Sequence, residues 1–216
     1  MRILGWTACV FTCTVCAYAR YLDNATVVYG DNLYFLVSER ENVEVGAHFA
    51  QQQGGAGNVF SYQNRSYAVL CVYTNESEGN KAQSSVQDNG EAVSLLEIPV
   101  GDMYFKTKEQ KKKAPLIKSA LALLQQNIRA LENTVNALDN GTTQESCKRL
   151  LTVSEKQFCY MAKEYKTTYS ALSEVCARFA ERLHGYQNQI IQSKDLRGEI
   201  CALCVEYLDL RAEFTL

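Results

Sequence analysis

Residues 114–138 read APLIKSALALLQQNIRALENTVNAL. Ile117, Leu121, Leu124, Ile128, Leu131, Val135 and Leu138 recur at alternating steps of four and three, which is the a/d seam of a helix that packs on another helix. The seam alone covers ~33 Å of helix. Pro115 is expected in the first turn, where its missing N–H costs little. Asp139-Asn140-Gly141 suits a helix C-cap, and Thr142-Thr143-Gln144-Glu145 suits the capping box of a second helix. So short a connection folds the chain back on itself. An antiparallel helical hairpin is predicted, with Asn140 at its tip.

The second seam runs through Leu151, Phe158, Ala162, Tyr165, Tyr169, Leu172, Cys176, Phe179, Leu183, Tyr186 and Ile190, mostly at three- or four-residue steps, with Glu155 off the pattern. Read as one helix it reaches up to ~60 Å and outruns its partner. The uncovered half then needs a third helix, the N-terminal half or a second chain. Gln192-Ser193-Lys194-Asp195 and Gly198 interrupt the pattern, and Ile200, Cys204, Tyr207 and Phe214 resume it. A break near 192–198 and a third helix packing back are expected. A single helix running to Phe214 and pairing two chains is the alternative.

Working outward towards the N-terminus, the period changes. Over residues 20–106 short β-branched and aromatic bursts alternate with turn residues. Seven strands are predicted: Ala25 to Tyr29, Leu33 to Val37, Val43 to Phe49, Val59 to Tyr62, Tyr67 to Tyr73, Val93 to Ile98 and Met103 to Phe105. Strands of that length and spacing suggest an antiparallel β-sandwich. Residues 51–58 contain Gly54-Gly55-Ala56-Gly57 without a GK[ST] phosphate-loop signature, and are read as a flexible hairpin tip. Residues 74–87 are read as a polar loop. The fold class is therefore α+β: a β-sandwich-like domain over 20–106, a basic joint at 107–113, and a helical hairpin or three-helix coiled-coil bundle over 114–216. The order resembles that of cargo receptors in which a luminal β-sandwich precedes a coiled coil. It departs from them in its single β-domain cysteine and its longer helical part.

Charge follows the same division. Residues 20–106 hold 5 basic and 11 acidic side chains, and residues 107–216 hold 16 and 13, so the halves attract. The overall charge of −2 lacks the basic excess that binding nucleic-acid phosphates requires. The 47% hydrophobic content and only 2 Pro exclude a disordered polymer.

Compartment is read from the first residues. Met1-Arg2, an uncharged run over Ile3 to Cys16, and Ala17-Tyr18-Ala19 follow the pattern of a signal peptide covering 1–19, cut before Arg20. Removal leaves Cys71, Cys147, Cys159, Cys176, Cys201 and Cys204, an even six that could form three disulfides. Asn24, Asn64, Asn75 and Asn140 each begin an N-x-[ST] glycosylation sequon. No later apolar run is long enough to hold the exported chain stably in a membrane.

Chemistry is sparse. The two histidines, His48 and His184, lack metal-helix spacing and any GxSxG partner motif. Cys201-Ala-Leu-Cys204 is the sharpest chemical motif, but it lies inside a helical pattern, without the preceding strand of a thiol oxidoreductase. No catalytic residue, metal ligand or cofactor is assigned. The expectation is a secreted, non-enzymatic, disulfide-bonded glycoprotein that recognises an extracellular or luminal protein through the β-domain loops at 51–58 and 74–87 or the exposed face of the second helix, with homo-oligomerisation through the helical seam as a further option and no nucleic-acid partner. The alternatives are a luminal thiol-disulfide enzyme using Cys201 and Cys204, and a cytosolic coiled-coil assembly adaptor.

Overall fold

The structure, a computed structural model, describes residues 26–214. The signal segment, its cut after Ala19 and the Asn24 sequon lie outside those residues. Six of the seven expected strands form: β1 (Thr26–Val28), β2 (Asn32–Ser38), β3 (Asn58–Tyr62), β4 (Arg65–Tyr73), β5 (Val93–Pro99) and β6 (Met103–Phe105). They do not make a sandwich. β3-β4-β2-β5 form one small antiparallel sheet and β1-β6 a separate pair, and neither closes.

The seventh strand, over Val43 to Phe49, is instead helix α1 (Val43–Gln52). Asn42 Oδ1 accepts from the backbone N–H groups of Glu44 and Val45 at 2.9 and 3.1 Å, an N-cap. Gly46, Phe49 and Ala50 then share one buried face at helical spacing. The expected polar loop at 74–87 is likewise mostly helix, α2 (Glu76–Asp88), capped by Asn75 in the same way. With Gly79 its only fully buried residue, α2 offered little hydrophobic periodicity to read.

The order β2-α1-β3-β4-α2-β5 with sheet order β3-β4-β2-β5 is a split βαβ arrangement. Leu36, Leu70 and Val93 pack with Ala50 of α1 and with Ala82 and Val86 of α2. Leu33, Phe35, Val37, Val69, Val72 and Ile98 join the core of the helical part. Both sheet faces are thus covered. The register shifts between Leu36 and Val37, leaving Leu70 as the extra residue of a bulge. The glycine-rich segment is bonded to that bulge: Ala56 N–H donates to Leu70 O at 2.7 Å and Gly57 N–H to Val69 O at 2.9 Å. A Cβ on Gly55 would fall 2.9 Å from Leu70 Cα, so the approach of the two backbones requires glycine. The expected flexible tip is a fixed wall.

Four long helices follow: α3 (Lys108–Asp139), α4 (Gln144–Glu164), α5 (Ser170–Gly185) and α6 (Ser193–Ala212), with a 3₁₀ turn at Tyr186–Asn188. Residues 107–113, expected as a joint, begin α3 through a capping box between Thr107 and Gln110. Pro115 consequently lies inside the helix and leaves Lys111 O without its helical donor.

The long second helix is two helices. Tyr165 and Tyr169 are both buried, but they flank a turn at Lys166-Thr167-Thr168. A four-residue step fits a turn as well as a helix, so the seam ran through the reversal unbroken. α5 returns antiparallel on α4: Phe158 stacks on Phe179 at 5.9 Å, and Ser173 Oγ donates to Ala162 O at 2.6 Å. The uncovered half therefore does not exist. α6 closes the group, with Arg178–Glu206 and Arg182–Glu199 ion pairs to α5 and a core shared with α3. Among the described residues no helix is long and apolar enough to cross a membrane.

Candidate functional site

The six expected disulfide cysteines are all free thiols. Cys147, Cys176, Cys201 and Cys204 are buried among apolar neighbours, Cys71 is buried near Tyr73, Glu132 and Arg197, and Cys159 is exposed on α4. An even count satisfied the arithmetic, but five of the six occupy core positions as small hydrophobes. Burial pushes the Cys176 and Cys201 thiols up to about 12 and raises Cys71, Cys147 and Cys204 as well. Cys201 and Cys204 sit in mid-helix, away from the free N–H groups that would favour a thiolate. Among the described residues no group of three His, Cys, Asp or Glu side chains is placed to hold a metal.

The histidines are not brought together. His48, on α1 rather than a strand, pairs with Gln52, and His184 Nδ1 lies 2.9 Å from Glu155 Oε1. The three described sequon asparagines are exposed at ends of elements. Asn64 (φ 62°) follows Gln63 (φ 49°) in the β3–β4 turn, Asn75 caps α2, and Asn140 ends α3 before Gly141 takes the left-handed position.

Among the described residues, a polar cleft of about 680 Å³ lies between the glycine-rich wall and the α5–α6 corner. Gln51, Gly55, Ala56 and Asn58 line one side, and Tyr186, Gln189, Lys194 and Asp195 contribute from the corner. Arg197 fixes the two sides, donating to Gly54 O at 2.7 Å and to Asp139 Oδ2 at 2.5 Å. Gly198 lines the cleft opposite Asn58, where a Cβ would lie 3.5 Å from Asn58 Oδ1, in ordinary contact. Arg182 and Glu199 pair at 3.1 Å on its edge. Burial, reinforced by Glu199 and Asp195, pushes the Tyr186 hydroxyl up to about 12, so it stays a neutral donor. The side chains of Gln51, Asn58, Gln189 and Lys194 have no partner among the described residues. The segment at 51–58, expected as a flexible partner-binding loop, forms one wall of the cleft. The opposite wall was not legible, because the interruption expected at 192–198 signalled only a break, and the structure puts that break earlier, at 186–192, with Ser193 to Gly198 opening α6. Compared with protein-family models, with curated proteins and with solved structures, the chain matches none, so the cleft is read from its own residues alone.

Proposed function

We propose that the chain is a non-enzymatic binding protein that takes an extended, polar segment of a protein partner into the cleft between residues 51–58 and the α5–α6 corner. The observation that carries this is the set of unpaired carboxamides, Gln51, Asn58 and Gln189, around that space. Each offers both a donor and an acceptor, the complement of a peptide unit, and Arg182 and Lys194 balance Asp195 and Glu199, so no net charge is selected. The buried, protonated thiols do not favour the oxidoreductase alternative.

Peptides selected from a random library on the full chain should bind at least ~10-fold more weakly to Gly198→Trp, whose ring fills the cleft, with the circular dichroism unchanged. Equal binding to both forms overturns the site. Export rests on the Met1–Ala19 pattern, and the free thiols no longer add to it. Intact mass of the chain recovered from eukaryotic medium after native alkylation should show the cut after Ala19, glycan on exposed sequons and a single label, at Cys159. A retained Met1 segment without glycan overturns the secreted reading and leaves the intracellular adaptor.

A further inference from the structure

The outer surface of the α4–α5 hairpin carries an apolar groove of about 530 Å³. Its lining includes the small side chains of Cys159, Ala162, Ser173, Ala177 and Ala180, which let another helix approach closely. The Glu155–His184 pair stands at one end and Lys166 at the other. Helical geometry at 100° per residue places Lys156 and Lys163 along the α4 edge, and Glu174 and Glu181 along the α5 edge, the members of each pair seven positions apart. All four are exposed, and none has an ion pair among the described residues.

The antiparallel register is fixed by the contacts of Ala162 with Ser173, Phe158 with Phe179 and Glu155 with His184. It sets Lys156 level with Glu181 and Lys163 level with Glu174. We propose that this groove is a homodimer interface, in which a two-fold axis parallel to the helices lays α4 of each copy antiparallel on α5 of the other. That operation preserves level and exchanges edges. It brings Lys156 to the partner's Glu181 and Lys163 to the partner's Glu174, four ion pairs around an apolar centre. An in-plane axis across the helices would instead stack α4 on α4 and lysine on lysine. The second copy is thus chosen by charge and register together, and the surface is separate from the cleft.

Sedimentation velocity on the full chain tests this. Dimers are expected at ~100 μM protein, weakening as salt rises. The variants Lys156→Glu/Lys163→Glu and Glu174→Lys/Glu181→Lys should each lose self-association by at least ~10-fold and form a one-to-one heterodimer when mixed. Surface reversals of this kind leave the core intact, which circular dichroism checks. A wild-type monomer at that concentration, a dimer indifferent to both reversals, or variants that do not pair on mixing would each overturn the assignment.

Discussion

Replacing Arg211 with Ala is expected to cost about 3 kcal/mol or more of folding stability, read from urea denaturation of the full chain. Arg211 is 3% exposed near the end of α6 and has no carboxylate partner among the described residues. Its guanidinium donates instead to Gly101 O at 2.7 Å, to Val28 O at 3.3 Å and to the Tyr207 hydroxyl at 3.4 Å, while its Nε lacks an acceptor. Gly101 precedes β6 and Val28 ends β1, so one side chain ties the two-stranded sheet to the helical part. The Ala variant leaves both carbonyls without this donor and opens a cavity. Met refills much of the volume and removes the uncompensated charge, so it should cost about half as much. Loss of less than about 1 kcal/mol in the Ala variant would show that the clamp is not holding the sheet. A Met variant more stable than wild type would show that desolvation of the charge outweighs its hydrogen bonds.

That clamp also marks a limit of sequence reading. The period of Ile117 to Leu138 made α3 legible because a long helix repeats its buried face many times. Short elements do not repeat. Val43 and Val45 imitate strand alternation, and the decisive feature of α1 is the Asn42 cap, a single residue. α2 buries so little apolar surface that its Asn75 cap was read only as a sequon. The reversal at Tyr165–Tyr169 preserved the spacing of the seam while changing the direction of the chain. Tertiary placement was less legible still. Arg197 reaches from α6 to Gly54, and Arg211 reaches from α6 to Gly101, contacts between distant segments that no local pattern encodes. The cleft depends on the first of these, so only its 51–58 wall could be anticipated.

Glu132→Gln is expected to stabilise the protein at pH 8 by about 2–3 kcal/mol and at pH 5 by less than about 1 kcal/mol. Glu132, on α3, is 8% exposed. Its carboxylate accepts from Thr74 N–H and from Thr74 Oγ1–H, both at 2.9 Å, joining α3 to the end of β4. Burial lifts its carboxyl from the ordinary 4.5 to about 7, with Glu78 adding to the rise and the Thr74 bonds and Arg129 opposing it. A raised folded-state value means that the fold favours the protonated form. The resulting stability is complete below about pH 4.5 and is lost as pH rises through about 7. Moving between those values corresponds to roughly 3 kcal/mol. Gln keeps an acceptor for Thr74 N–H, offers its own N–H₂ to Thr74 Oγ1 and has no proton to lose, so the slope between pH 5 and 8 should flatten. Urea midpoints for both proteins across that range decide it. Parallel profiles would remove Glu132 as the source of the pH dependence. A Gln variant less stable at pH 8 would mean that the ionised carboxylate, through its two bonds to Thr74, holds the sheet to α3 more strongly than burial opposes it.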